Sequence, residues 1–207
     1  MSTDDWYRNT DWSETIASQF EAKLRRARRK EQYIRIQACM LATSRPDVAH
    51  FLLDRYFEMQ DDFDHAQAHV DRATAYLSEG KIEETIASYE AAIKREAEFP
   101  NLRTQAYVEL PYLVAVRGTV NHYARAVEVL DAHQERLMFA IDHFKWNAAQ
   151  AIIAHALGNP TAAKLYAAAA LSAAERDNSG FRYHPTVGLV QNNYSEIQTL
   201  LRRLCDA

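Results

Sequence analysis

Two histidines one helical turn apart, His65 and His69, lie in the run Asp61-Asp-Phe-Asp-His65-Ala-Gln-Ala-His69-Val-Asp71. Imidazoles at that spacing with carboxylates nearby could hold a divalent cation. No third ligand of matching spacing follows, and the glutamate of a zinc-protease motif is missing between them. The expectation is therefore no metal site and no cofactor. A second cluster, Lys23-Leu-Arg-Arg-Ala-Arg-Arg-Lys30, holds six cations and no acid. On a helix, Lys23, Arg25, Arg26, Arg28, Arg29 and Lys30 would surround all but a Leu24/Ala27 stripe, either as a solvated outer face or as a patch for phosphates or an acidic partner. The third is Gly180-Phe-Arg-Tyr-His-Pro-Thr-Val-Gly188, where Arg182 and His184 are recognition candidates and Phe181 and Tyr183 could equally be anchors.

Catalytic signatures are missing. The sequence has no G-x-S-x-G elbow and no phosphate-binding glycine pattern, since its five glycines are scattered singly. Glu83 and Glu84 are adjacent and would point apart on a helix. Cys39 and Cys205 lack C-x-x-C spacing and read as reduced, packed thiols of a cytosolic protein. The expected class is not an enzyme.

A net charge of -4 and a pI near 6.1 provide no global attraction to nucleic acid or anionic lipid. The start of the chain lacks a basic region followed by an apolar one, and runs such as Leu110 to Val116 are too short to span a bilayer. The reading is a soluble, cytoplasmic protein with no membrane association. With 207 residues, 48% apolar content and only five prolines, the chain favours helix nearly throughout and suffices for one domain over 1–207.

The elements that would carry these groups recur. Gly80-Lys-Ile-Glu-Glu-Thr85-Ile-Ala-Ser-Tyr89-Glu-Ala-Ala92 returns in altered form as Gly158-Asn-Pro-Thr-Ala-Ala163-Lys-Leu-Tyr-Ala167-Ala-Ala-Ala170. Two further stretches align, so that an equivalent small residue falls at Ala49, Thr85, Ala126 and Ala163. Repetition at this period marks stacked helical hairpins. Asp11 with Glu14 predicts a capping box opening one long helix over 12–43, bent near Glu31, with Ser44 and Pro46 starting the return arm through Tyr56 and Phe57. Asp62 or Asp64 opens the next arm to Ser78, Gly80 ends it, and 82–97 returns, followed by a loop at 98–101. Pro111 should kink or divide the first arm of hairpin three, whose extra residues fall near Pro100 or Gly118. Hairpin four occupies 142–157 and 160–175, then a connector over 176–190. A last helix over 191–204 or so presents Tyr194, Ile197, Leu200, Leu201 and Leu204 to cover the final repeat. Trp6, Tyr7 and Trp12 are expected to pack onto the first hairpin.

Gly80, Thr85, Tyr89 and Ala92, preceded by Ala73 and Tyr76, resemble the tetratricopeptide repeat, and the array from about 30 to 175 resembles a divergent, bacterial-type member of that family. No repeat carries the family's first-helix Trp and Leu-Gly, Tyr56 and His133 replace small residues, and its carboxylate-clamp positions are filled by Ile34, Ala38, Val70 and Thr74. The resemblance implies an all-α, right-handed α-α superhelix of about four hairpins with a capping helix. It also implies a non-catalytic scaffold or adaptor whose first arms line a concave groove for a protein or peptide partner. By helical phase, Arg35, Gln67, Asp71, Thr74, Lys145 and Ile152 would face that groove. The sequence is compatible with a homo-oligomer. Two other readings stay open: a nucleic-acid accessory protein using Lys23 to Lys30, and a metal-dependent enzyme using His65/His69 or His184.

Overall fold

The computed structural model describes residues 5–59 and 63–206, and within them every regular element is helical, with no strand. The chain divides into two compact units, Met1–Ala106 and Tyr107–Ala207. The first contains α1 (Glu14–Leu24), α2 (Lys30–Leu41), α3 (Pro46–Phe57), α4 (His65–Ser78) and α5 (Ile82–Glu98). Beginning at the division, α6 (Ala106–Arg117) is followed by α7 (Tyr123–His133), α8 (Ala140–Ala156), α9 (Pro160–Ala174) and α10 (Ser195–Asp206). No helix among the described residues is long and apolar enough to cross a membrane.

Three of the four hairpin turns share one chemistry, while the turn between α2 and α3 has no glycine and closes from the Arg45 N–H to the Leu41 carbonyl at 2.8 Å. Gly80 takes φ 73°, a left-handed conformation that costs glycine little, and lets the Lys81 N–H return to the Tyr76 carbonyl at 3.0 Å. The same closure joins Thr119 to Val114 at 3.1 Å and Asn159 to Ala154 at 2.9 Å. The four aligned small residues, Ala49, Thr85, Ala126 and Ala163, are all essentially fully buried. In the first unit, α2 packs on α3 and α4 on α5, and α4 also touches α2 and α3. In the second, α8 pairs with α9, and α10 lies on both. Leu201 and Leu204 are buried there with Ile197 and Tyr194 beside them, while Leu200 remains 37% exposed.

The predicted long helix is two helices. Its start is Glu14 rather than Trp12, capped by Ser13 Oγ accepting from the Ile16 N–H at 3.3 Å, while Asp11 accepts only from its neighbour Trp12. It breaks at 25–29, not near Glu31, with tight closures from Arg26 to Lys23 and from Ala27 to Leu24. Like charges at Lys23/Arg26, Arg25/Arg29 and Arg26/Lys30 repel at helical spacing, by about 0.2–0.5 kcal/mol per pair. The apolar stripe also lapses between Ala27 and Tyr33, so little burial offsets that cost. Pro46 opens α3 as expected, but Ser44 donates to the Thr10 carbonyl at 3.2 Å instead of capping.

Pro111 does not divide α6, which runs unbroken from Ala106 to Arg117. Burial of Tyr107, Val108, Leu110 and Val114 offsets the lost backbone bond, a cost of about 3 kcal/mol or more. In hairpin three, eight residues separate Gly118 from Ala126 where five separate Gly80 from Thr85. The difference is a 3-10 turn, Val120–His122, placed before α7. A similar turn, Asn192–Tyr194, precedes α10 and delays its start to Ser195. Asp62 lies outside the described residues. Trp6, Tyr7 and Trp12 do pack against the core of the first unit, near Phe20 and Tyr33.

Candidate binding clefts beside Phe63

Helices α2 and α4 are joined by a polar network. Arg35 sits on α2, and its guanidinium reaches two turns of α4 at once, with Nε 3.1 Å from Asp64 Oδ2 and Nη1 3.0 Å from Asp71 Oδ2. Gln67 Nε2 donates to the other oxygen of Asp71 at 3.0 Å. Asp71 is 3% exposed, so burial pushes its carboxyl up while Arg35 and Gln67 pull it back. Burial also works against the Arg35 cation, but Asp71 and Asp64 outweigh it and hold the guanidinium above its ordinary value. Cys39, one turn beyond Arg35, is exposed and not the packed thiol expected, yet its thiol is pushed up to about 11, by partial burial first and by Asp71 second, and is a poor nucleophile.

Above this network the surface opens into two clefts that share Phe63 and Asp64. One, of about 270 Å³, is lined by Arg29, Glu31, Gln32, Phe63 and Asp64. The other, of about 250 Å³, continues from Phe63 and Asp64 past Ala66 and Gln67 to Asn101, Leu102, Arg103 and Thr104. Phe63, 66% exposed, stands between them. Asp64 occupies the N-cap position of α4, yet its side chain makes no capping bond there, because Arg35 holds its carboxylate. On the far side, the floor is fixed by Glu96 Oε1, which accepts from the Thr104 N–H at 2.7 Å and from its hydroxyl at 2.5 Å.

The residues selected by helical phase are therefore partly assembled and partly spoken for. Gln67 lines a cleft, whereas Arg35 and Asp71 form the network beneath it. Thr74 returns its hydroxyl to the Val70 carbonyl at 3.1 Å. In the second unit Lys145 is 9% exposed and spends its charge on Glu109 at 2.5 Å, and Ile152 is half-buried on α8. Phe63, Asn101 and Arg103 were missed. Phe63 was read as part of a metal motif and the other two lie in or beside a segment read as loop.

The other candidate clusters have local explanations. Both imidazoles of the His65/His69 pair pack on Phe57, with ring centroids 5.2 and 4.6 Å away. Burial, helped by Arg72, lowers His69 to about 4 and keeps it neutral. Among the described residues no group of three or more His, Cys, Asp or Glu is placed to hold a metal ion. Of the cationic run, Lys23 lies in the last turn of α1, Lys30 begins α2, and Arg25, Arg26, Arg28 and Arg29 are exposed between them. The run is thus an open turn and not a helical face. In the connector, Ser179 Oγ donates to the His184 carbonyl at 2.7 Å and accepts from the Phe181 N–H at 3.1 Å. Phe181 packs on Phe139 at 5.7 Å, while Arg182, Tyr183 and His184 are exposed. Gly188, at φ 67°, lies so close to Phe139 that an added Cβ would fall 2.4 Å from its ring.

No protein-family model, no curated protein and no solved structure matches this chain.

Proposed function

We propose that this protein is a non-catalytic, cytoplasmic binding module, a scaffold or regulatory adaptor built as a right-handed, tetratricopeptide-like array, which takes a peptide or protein segment across the clefts flanking Phe63. The observation that carries this reading is the exposed Phe63 set between two polar clefts. Aromatic side chains in such settings supply contact area at low entropic cost. The Arg35 network beneath holds Asp64 and Gln67 in place before any partner arrives, which reduces the ordering cost of binding. Repeated hairpin closures and buried small residues support the array architecture.

A photo-crosslinking benzoylphenylalanine at position 63, introduced in the native host, tests the reading. Discrete adducts are expected, weakened several-fold by Gln67→Ala/Arg103→Ala. A matched probe at the exposed position 94 on α5 should give none of them. Equal labelling from both positions would overturn the assignment.

A nucleic-acid reading draws on one observation: Lys23, Arg25, Arg26, Arg28, Arg29 and Lys30 make no ion pair among the described residues. A gel shift with mixed RNA and DNA at moderate salt tests it directly, and no shift would remove it.

A further inference from the structure

We infer that the segment held in the Phe63 clefts is acidic, and that it leaves the cleft over the cationic turn between α1 and α2. This rests on the binding-module reading and names the chemistry of its partner. Arg29 belongs both to the turn and to the cleft lining, so the two surfaces are continuous. Arg25, Arg26 and Arg28 are exposed beside it, and none of the cations from Lys23 to Lys30 is neutralised by a neighbour among the described residues. At the far end Arg103 provides a second cation. Of the two acids in the lining, Asp64 is already compensated by Arg35 at 3.1 Å, which leaves Glu31 against Arg29, Arg103 and the exposed cations of the turn. A chain of net charge -4 thus keeps a strongly positive surface at one cleft mouth, where it attracts anionic residues and repels basic ones.

The lining favours a polypeptide over a phosphate backbone. Gln32, Gln67 and Asn101 carry amides that match the alternating donors and acceptors of an extended chain, which a phosphodiester does not offer. Gln67 commits its Nε2 to Asp71 and leaves its carbonyl oxygen for an incoming N–H. Glu31 lies inside the cleft and would repel a uniformly charged polymer, whereas a peptide can place an uncharged residue there. Phe63 is the single aromatic of the lining, suited to one apolar anchor and not to a succession of stacked bases.

Fluorescence anisotropy on the full chain tests this with four short labelled probes: a Glu/Asp peptide with one central Leu, its Gln/Asn counterpart, its Lys counterpart, and oligo(dT). The acidic peptide should bind about tenfold tighter than the Gln/Asn peptide, and that margin should shrink between about 50 and 300 mM salt. Arg28→Glu/Arg29→Glu should erase the margin, while Arg202→Glu/Arg203→Glu on exposed positions of α10 preserves it, with circular dichroism confirming that both variants fold. An acidic peptide no tighter than the neutral one overturns the inference. If the neutral peptide still binds and Phe63→Ala abolishes it, the binding-module reading survives alone. Tighter capture of oligo(dT) than of any peptide, lost on charge reversal, also overturns it, in favour of nucleic acid. No peptide bound and no crosslinks from position 63 would remove both.

Discussion

Arg35 in the first unit and Lys145 in the second each bind a carboxylate 36 residues away, and each pair ties the first arm of one hairpin to the first arm of the next. The order is reversed: the cation precedes its acid in Arg35/Asp71 and follows it in Glu109/Lys145. Arg35 is a fork, spanning Asp64 and Asp71 over two turns of α4 with its planar guanidinium. Lys145 is a point charge, placed 5.6 Å from the ring centroids of both Tyr112 and Tyr194. Burial works against its ammonium, but Glu109 outweighs burial and holds it above the ordinary lysine value. Burial likewise pushes the Tyr112 hydroxyl up, so that it stays protonated. The lesson is that one repeat offset accommodates two kinds of tie. The fork fixes a rim beside an open surface, and the point charge is closed over by aromatic rings.

Asp71→Ala should break this comparison most severely. It leaves a largely buried guanidinium with Asp64 alone, and we expect a loss of about 3 kcal/mol in chemical denaturation, with Arg35→Met/Asp71→Leu recovering most of it. Lys145→Met should cost only about 1 kcal/mol, because Glu109, 29% exposed, can rehydrate and the apolar chain still packs on the tyrosines. An equal loss from both substitutions would show that fork and point charge are energetically alike.

A third effect is the pH dependence that His69 contributes in the first unit. His69 titrates near 4 when folded and near 6.5 when unfolded, so between these values the unfolded chain binds the extra proton. Stability contributed by the neutral ring is present above about 6.5 and is lost as pH falls toward 4. After discounting for partial exposure this is on the order of 1 kcal/mol, read as a shallower fall of Tm with acid in His69→Phe than in the parent. Parallel curves for the two proteins would remove His69 as the source.

Hairpin two was fully readable because every part of it is local. Gly80 fixes the turn, and Thr85, Tyr89 and Ala92 fix the buried stripe. The sequence pointed to a bend near Glu31 and not to a break at 25–29, because no Gly or Pro marks it, although the lapse of apolar residues between Ala27 and Tyr33 lies in plain view. Helical phase placed Arg35, Gln67 and Asp71 together, but phase does not say whether polar neighbours will bond to a partner or to each other. One Phe63 cleft depends on the return of residues 101–104 to the start of α4 and the other on the approach of Arg29, Glu31 and Gln32, distant juxtapositions that periodicity does not encode.

Asn9 ties the segment before α1 to the interior of the first unit. Its backbone N–H and its Nδ2 both donate to Gln37 Oε1, at 3.1 and 2.8 Å, and its carbonyl accepts from Gln37 Nε2 at 2.8 Å. Gln37 is fully buried, so trimming the chain past Asn9 would strand an amide in the interior, at about 1–3 kcal/mol. Losing that stitch would loosen the first unit from within, so affinity tags belong upstream of it and never in its place.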